Sequence, residues 1–466
     1  MSKELLQLCG FEPDEIEREQ KRIDRVFEKL ELTPSDIEQA EKRVRKNFDT
    51  SLKGVRKCLG IWIKQLFDLV MAREEGKKIV YPSFPSIPMI GLALNLASEE
   101  IYCQSPEIVL DLAMGQILGK IDPILEEAEA KGLPPGIAMC SLNQARLGGI
   151  SKGIIPLPDL MLPSGSFCDQ APKVDDLLHE VYGIKTVFFF FFMDSASADY
   201  PHTDPRRVKY FGKEIRRALD ETQETLGIEI SDEALDKALQ EMVKLYYALV
   251  GLWDLMRKDP VPVSQADLGP FFWMLASPER RCMAEAFKAI AQLTREVKQR
   301  ADEGRGVVEK GAPRVLLFSH HMTDPAIMHM IEDAGLAISL TSLASISNAM
   351  AESFAGEQYT TFEDKAADQL LSVGIYHSVK GLIERCKELS KGWQVDGFIN
   401  LYPFSCRPLA LHPLIAKKDI EGELGIPVLA LEGDFYDTRS YSAEALKTRV
   451  ETFAEMLRAS RASAAA

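Results

Sequence analysis

The stretch WQVDGFINLYPFSCRP, residues 393–408, carries the clearest fold signal in the chain. Its centre, DGFINLY at 396–402, is a short apolar run typical of a buried parallel strand. Three further runs of this texture lie in the same part of the chain: RVLLFS (314–319), LAISL (336–340) and IPVLALE (426–432). Helical segments lie between them, and strand–helix alternation predicts a parallel α/β sheet.

A second block of the same texture begins near Lys77. Its candidate strands are IVYP (79–82), GIAMC (136–140), DLMLPS (159–164) and IKTVFFFFF (184–192). Elsewhere, charged and apolar residues alternate at helical spacing. The chain is therefore predicted to contain two Rossmann-like parallel-sheet α/β domains. The predicted organisation is an N-terminal helical region at 1–76, a first α/β domain at 77–204, a helical connector at 205–306 and a second α/β domain at 307–460.

The charge balance argues against a nucleic-acid partner. The chain has 55 Lys and Arg against 70 Asp and Glu, a formal net charge of −15, and no long basic stretch. Its first residues, MSKELLQLCGFEPDEIEREQ, lack the charged-then-apolar layout of a signal peptide. The most apolar run, VFFFFFM at 187–193, is far shorter than the roughly 20 residues that a membrane helix needs. We therefore predict a cytoplasmic protein without a membrane partner.

Three of the eight cysteines follow predicted strands: Cys140, which leads into a predicted polar turn SLNQAR, Cys168 and Cys406. The chain has no CxxC pair, which argues against a zinc ribbon or a ferredoxin-type site. Open α/β sheets bind ligands at the carboxyl ends of their strands, and here the cysteines can meet only if the two domains face a cleft. Three thiolates suit an iron–sulfur cluster and would leave one iron open to substrate. The alternative is that all three are small buried hydrophobic residues.

Four segments of the chain, in this order, match one family pattern: MCSLNQARLGG, PLPDLMLPSGSFCDQAPKVDDLL, WQVDGFINLYPFSCRP and GIPVLALEGDFYDTRSYSAEALKTRVETFAEML. They resemble the 2-hydroxyacyl-CoA dehydratase and benzoyl-CoA reductase family over roughly residues 77–460. The most specific part is C-terminal: VDG, an apolar strand, a cysteine, a GIP strand, an acidic pair and a TRVE helix.

The resemblance implies a cluster-binding subunit in which Cys140, Cys168 and Cys406 hold one [4Fe-4S] cluster. It also implies a homologous second subunit, giving a heterodimer, and a separate ATP-dependent iron–sulfur activator protein that injects one low-potential electron. That electron would convert an acyl-CoA thioester into a ketyl radical anion, in anaerobic metabolism. A dehydratase, which is a lyase, then removes the 2-hydroxyl and a β-proton and recycles the electron. A benzoyl-CoA reductase instead retains electrons and reduces the ring.

Two features differ from the family pattern. RVLLFS runs into His320 and His321 where a Gly-containing loop is usual, and YPSFPS lacks the cysteine that double-cubane relatives carry near the first strand. We therefore expect a single cubane that binds a 2-hydroxyacyl-CoA at its open iron for radical dehydration. Two alternatives stay open, namely a subunit of an aromatic acyl-CoA reductase and an electron-transfer subunit that does not itself bind substrate.

The candidate catalytic residues are Ser86 and His320. Ser86, like Ser83, lies in YPSFPSIP after the first strand. A hydroxyl there could donate a hydrogen bond to the thioester carbonyl or to the substrate hydroxyl. The alternative is that these serines are loop residues that cap the next helix. His320 follows RVLLFS and could transfer protons, or could be a hydrogen-bonded loop histidine.

Two further groups of residues could serve the site. Arg146 and Lys152 follow Cys140 and could contact CoA phosphates, or could be solvated surface charges. Cys103 is the candidate for a fourth ligand, which would close the cluster and favour electron transfer over catalysis.

Overall fold

The structure of the chain, a computed structural model, contains two four-stranded parallel sheets among many helices. It describes residues 3–134, 139–165, 168–189, 203–276, 279–318, 324–342, 358–372, 379–410 and 412–465. The expected α/β class with two parallel sheets is confirmed.

The strands of the two sheets follow the same spatial order. In the first sheet the order is β2-β1-β3-β4, and in the second it is β6-β5-β7-β8, with every pairing parallel. The strands are β1 Lys78–Tyr81, β2 Ile101–Cys103, β3 Leu160–Met161, β4 Lys185–Thr186, β5 Arg314–Phe318, β6 Ala337–Thr341, β7 Gly397–Pro403 and β8 Val428–Gly433. Because both sheets are parallel, the carboxyl ends of the strands in each sheet share one edge.

Helices precede, separate and follow the strands. They are α1 Lys3–Leu8, α2 Pro13–Lys29, α3 Pro34–Asn47, α4 Lys53–Met71, α5 Pro88–Ala97, α6 Pro106–Val109, α7 Asp122–Ala130, α8 Ser141–Ser151, α9 Gln170–Tyr182, α10 Pro205–Leu226, α11 Asp232–Asp254, α12 Gln265–Trp273, α13 Arg280–Asp302, α14 Pro325–Asp333, α15 Phe362–Ser372, α16 Val379–Trp393, α17 Arg407–Ala410, α18 His412–Leu424 and α19 Ala443–Ala465. A π-helical segment, Leu110–Ile117, continues α6. In the described parts of the chain, no helix is both long enough and apolar enough to cross a membrane.

The second sheet is buried on both faces. Leu316 and Phe318 of β5 belong to the main hydrophobic core, which also takes in the helices and the first sheet. Val315 and Leu317, which alternate with them, belong to a separate core beneath α14 and α19. Successive side chains of β5 point to opposite faces of the sheet, and both faces are buried. This explains why the strand appears as a continuous apolar run in the sequence.

The N-terminal helices and the connector pack against each other through α4 and α13. At the closest approach, a Cβ atom added to Gly54 would lie 2.6 Å from the Leu293 Cα atom. Only a residue without a side chain allows the two backbones to come so near. Gly54 therefore sets the spacing of this helix pair.

Two groups of sequence predictions differ from the structure. SLNQAR, interpreted as a polar turn, is the start of α8, and its polar residues Asn143 and Arg146 are buried. The predicted strands at 159–164 and 184–192 are reduced to two residues each, with one isolated bridge from Ser164 to Phe189 beyond them in the described residues. The predicted strand at 136–140 lies mostly outside the described residues.

Replacement of Gly54 by alanine tests the helix contact. Gly54→Ala should destabilise the fold by about 1–3 kcal/mol, because the new methyl group overlaps the Leu293 backbone. Gly251→Ala in α11 is the matched control, since a Cβ atom there meets nothing within 4 Å and alanine favours helix. Thermal unfolding should show a lower midpoint for Gly54→Ala only, and equal midpoints for both variants would contradict the argument.

His329 on α14 joins the second α/β half to the N-terminal helices. Its Nε2 atom lies 2.9 Å from the Asn47 carbonyl oxygen, and its Nδ1 atom lies 3.5 Å from Glu332 Oε2. The interaction with the Glu332 carboxylate raises the pKa of His329 to about 9. The charged imidazolium is therefore the form that the folded chain prefers.

The contribution of His329 to stability should depend on pH. Because the folded pKa is raised, the contribution is complete below the ordinary histidine pKa of about 6.5 and is lost as the pH rises through about 9. His329→Gln should unfold at a lower temperature than wild type near pH 6, and the difference should shrink towards about pH 9. Burial raises the pKa of Asp267 to about 7 and the charge of His329 lowers it, so the measured difference includes the loss of this interaction. A constant difference across this range would contradict the prediction.

Candidate functional site

Cys140, Cys168 and Cys406 each lie at or just before the start of a helix. Cys140 is the N-terminal cap of α8, Cys168 lies two residues before α9, and Cys406 directly precedes α17. The Ala171 N–H donates to Cys168 Sγ at 3.4 Å, and the backbone N–H three positions after Cys140 and after Cys406 likewise lowers the pKa of those thiols. The unpaired N–H groups at helix starts favour negative charge and lower the pKa of these thiols, but burial outweighs this effect and the net shift is upwards.

A chain of hydrogen bonds joins the three cysteine segments. Gln170 Nε2, beside Cys168, donates to the Ser405 carbonyl oxygen at 3.0 Å. Ser405 Oγ donates to Oδ1 of Asp434, the residue that follows β8, at 2.6 Å. The Tyr436 N–H donates to Ser141 Oγ at 3.1 Å, next to Cys140. The first and second sheets therefore meet at the cysteines.

The three thiols also influence one another electrostatically. Burial raises the pKa of each thiol. Negative charge on Cys168 and Cys406 raises the pKa of Cys140 further, and charge on Cys168 raises that of Cys406. Charges act on each other in this way only when they are close, so the structure brings the three predicted ligands together.

The three sulfurs suit a group larger than one metal ion. Across the described ranges, no three His, Cys, Asp or Glu side chains lie close enough to hold a single ion. A cubane binds each protein thiolate through a different iron, which spreads the sulfurs apart. Three mutually interacting thiols, of which Cys140 and Cys406 are buried and Cys168 is partly exposed, are a donor set whose chemistry fits an iron–sulfur cluster.

Cys103 is not part of this group. It ends β2, where its N–H donates to Asn95 Oδ1 at 2.9 Å and its carbonyl accepts from Asn95 Nδ2 at 2.8 Å. Burial alone raises its pKa, and no charge interaction links it to the other three cysteines within the described residues. A fourth thiolate from Cys103 has no support in this geometry.

Arg146 is buried, which contradicts its predicted role in contacting CoA phosphates. Its side chain is 0% exposed, and it forms ion pairs with Glu107 at 3.0 Å and with Asp175 at 2.9 Å. Burial of an arginine requires such partners, because an unpaired charge in the interior is very costly. The guanidinium therefore interacts with buried carboxylates and is not exposed to bind phosphate groups.

Of the two predicted catalytic residues, Ser86 and His320, the structure describes only Ser86. Ser86 is buried, and its Oγ atom has no hydrogen-bond partner among the described residues. The neighbouring Pro85 carbonyl accepts from Ser164 Oγ at 2.5 Å, which holds the loop in place. Ser83 instead donates to Asp175. His320 and His321 lie outside the described residues.

Sequence reasoning missed a group of buried acids beside the cysteines. Glu107 accepts from the Phe84 N–H and pairs with Arg146. Asp111, on the π-helical segment, is fully buried, and neither carboxylate oxygen has a hydrogen-bond partner in the described part of the chain. Burial and the nearby charges of Glu107 and Asp434 raise the pKa of Asp111, so it is held as a neutral acid. The available signal was SPEIVLD, with two acids in an otherwise apolar run.

Comparison with known proteins identifies one family. The model of the family described as "2-hydroxyglutaryl-CoA dehydratase, D-component" matches residues 101–457. That range contains Cys140, Cys168 and Cys406 and most of both α/β halves. The family resemblance expected from the sequence is thereby confirmed.

Several curated relatives carry related names. The chain is 22% identical over 308 residues to (R)-2-hydroxyglutaryl-CoA dehydratase subunit alpha of Acidaminococcus fermentans, covering 66% of this chain and 61% of that protein. It is 22% identical over 402 residues to the (R)-phenyllactyl-CoA dehydratase alpha subunit of Clostridium sporogenes, covering 83% and 91%. It is 21% identical over 340 residues to a benzoyl-CoA reductase subunit of Thauera aromatica, covering 68% and 76%.

Removal of the buried arginine should be strongly destabilising. Arg146→Met leaves Glu107 and Asp175 buried without a cation, a loss of about 3–5 kcal/mol. Adding Glu107→Gln and Asp175→Asn to that variant removes the stranded charges and should recover part of the loss. Denaturant unfolding of the three proteins measures this, and a single variant as stable as wild type would contradict the ion-pair argument.

Proposed function

The chain belongs to the 2-hydroxyglutaryl-CoA dehydratase D-component family, and from this we propose that it is an iron–sulfur subunit of a 2-hydroxyacyl-CoA dehydratase. In this proposal Cys140, Cys168 and Cys406 hold one [4Fe-4S] cluster. The observation that carries the proposal is the placement of these three thiols at helix starts around one junction between the sheets. When bound, such a cluster would supply an open iron for the substrate and one low-potential electron.

The chain's own residues would hold and tune that group. Backbone N–H groups at the starts of α8, α9 and α17 point at the sulfurs and would stabilise the extra negative charge of a reduced cluster. Burial of Cys140 and Cys406 excludes water from their sulfurs, which strengthens these interactions. The site is therefore suited to hold charge without bulk solvent.

Ser86 and the buried acids are the proposed substrate-side residues. The Ser86 hydroxyl is buried and unpartnered among the described residues, so it is free to donate to a thioester carbonyl or to a substrate hydroxyl. Burial raises the pKa of Asp111, so this carboxyl group is proposed as a proton donor. His320 stays a proposed proton-transfer residue on the second domain.

The proposal includes partners. The relatives from Acidaminococcus fermentans, Clostridium sporogenes and Thauera aromatica are each named as one subunit of an enzyme, which supports a homologous second subunit for this chain. A separate ATP-dependent iron–sulfur activator and an acyl-CoA substrate belong to the same proposal. A second candidate reaction, reduction of an aromatic acyl-CoA, is favoured specifically by the similarity to the benzoyl-CoA reductase of Thauera aromatica.

The first test is cluster content. After anaerobic reconstitution, the chain should hold about four iron and four sulfide per molecule, as one cubane requires. Cys406→Ser should lose most of both, while Cys386→Ala, which alters a buried cysteine on α16, should keep them. Near-zero iron in the wild type would overturn the proposal, and full iron in Cys406→Ser would remove that residue as a ligand.

The second test is the reaction. With a homologous partner subunit, the activator, ATP and a reductant, a 2-hydroxyacyl-CoA should yield the unsaturated acyl-CoA and water without net consumption of reductant. Net reduction of an aromatic acyl-CoA would favour the second candidate instead. Absence of both products from a cluster-loaded complex would favour an electron-transfer subunit.

A further inference from the structure

The arrangement around Arg146 points to a further role in the site. We propose that Arg146 is a positioning residue that ties together the two helices beginning at Cys140 and Cys168, and so sets the spacing and hydrogen bonding of their sulfurs. The inference rests on the proposed function, because it concerns the cluster that these sulfurs would hold. It goes beyond that function by assigning a positioning role to a residue that interacts with Cys140 and Cys168 through its charge and through intervening hydrogen bonds.

On the first helix, Arg146 acts through Asn143. Arg146 Nη2 donates to Asn143 Oδ1 at 3.3 Å, one turn earlier on α8. The same amide group, through Nδ2, donates to Cys140 Sγ at 3.3 Å. An amide whose oxygen is held by a cation has its NH₂ group fixed towards the sulfur, so the orientation of Asn143 depends on Arg146.

On the second helix, Arg146 acts through Ala171 and Asp175. Arg146 Nη2 donates to the Ala171 carbonyl oxygen at 3.1 Å. The Ala171 N–H donates to Cys168 Sγ at 3.4 Å. The ion pair with Asp175, at 2.9 Å, fixes the guanidinium one turn further along α9. A single nitrogen thus reaches both helices that start at a cysteine.

The third anchor lies on the substrate side of the first sheet. Arg146 Nη1 donates to Glu107 Oε1 at 3.0 Å, and the same carboxylate accepts from the Phe84 N–H. Phe84 lies in the loop that carries Ser86. The guanidinium therefore connects both sulfur-bearing helices to the loop proposed to touch the acyl group.

The chemistry of arginine suits this position. Its planar fork donates in several fixed directions at once, whereas a lysine ammonium is a single point charge. Arg146 is the only arginine among the buried residues that the structure describes. Hydrogen bonds to cluster sulfurs and the charges near them tune the reduction potential of an iron–sulfur centre. Loss of the Arg146 guanidinium should therefore shift the reduction potential of the cluster, even in a variant that keeps the positive charge.

The experiment compares Arg146→Lys with wild type. The lysine variant keeps a cation for Glu107 and Asp175, which avoids the instability expected of Arg146→Met. Its reconstituted cluster should have a more negative midpoint potential and an altered electron paramagnetic resonance spectrum, because the donor to Cys140 is no longer held. Asn143→Ala, which removes that donor directly, should shift the potential in the same direction.

Lys387→Met is the matched control. Lys387 is another buried cation, but it pairs with Glu384 and Glu423, both at 2.6 Å, on α16 and α18. Its loss should leave the potential and the spectrum as in wild type. If Arg146→Lys and Lys387→Met both give the wild-type potential and spectrum in a loaded protein, the inference is overturned while the proposed function stands.

Hydrogen exchange on the metal-free chains tests the bridge independently of any cluster. Peptides covering the first turns of both α8 and α9 should exchange about tenfold faster or more in Arg146→Lys, the factor expected for one lost charge-assisted hydrogen bond. Lys387→Met should leave both peptides unchanged. If wild type takes up no iron, the proposed function fails. Unchanged exchange in either helix of Arg146→Lys would overturn the bridge, whether or not the chain takes up iron.

Discussion

The hydrogen bonds that link Gln170, Ser405 and Asp434 fix where the two α/β halves meet. Gln170 belongs to the first half, and the other two residues follow strands of the second. Each of these polar groups is buried, so each must find a partner inside the protein. The partners are supplied across the junction, and that requirement places the Cys168 and Cys406 segments side by side.

A second constraint is the charge buried behind the junction. Arg146, Glu107 and Asp175 form a desolvated group in which each member depends on the others. Burial raises the pKa of Asp175 to about 7, with the arginine acting in the opposite direction. Such a group adds little net stability relative to an apolar core. We infer that its role in this protein is orientation, because the guanidinium holds the Asn143 side chain and the Ala171 backbone, which donate to the sulfurs of Cys140 and Cys168.

Both parallel sheets could be predicted from the sequence, but the strand lengths were predicted well only for the second. The strands β5 to β7 are apolar runs that are buried on both faces, whereas β8 at the edge is only partly buried. β5 lies within its predicted range, and β6, β7 and β8 each end one residue beyond theirs. In the first sheet, β3 and β4 have only two residues each, too few to produce a pattern.

The placement of the three cysteines could be predicted from the sequence, whereas the burial of the polar residues around them could not. Strand ends indicated Cys140, Cys168 and Cys406, and the structure brings them together. SLNQAR was misread because its polar face is turned inwards, so the usual rule that polar residues mark the surface failed. The same rule led to the wrong role for Arg146. Buried ion pairs between residues 25 or more apart leave no local pattern in a sequence.

The distance along the chain between the cysteines has a consequence for biosynthesis. Gln170 and Ser405, which meet beside the thiols, are 235 residues apart in the sequence. At roughly 5–20 residues per second, a ribosome needs about ten to fifty seconds to make that length of chain. During this interval α8 and α9 can fold with two cysteines in place, while the segment with the third does not yet exist. A cofactor that requires all three sulfurs can therefore bind only after the segment that carries Cys406 has been made.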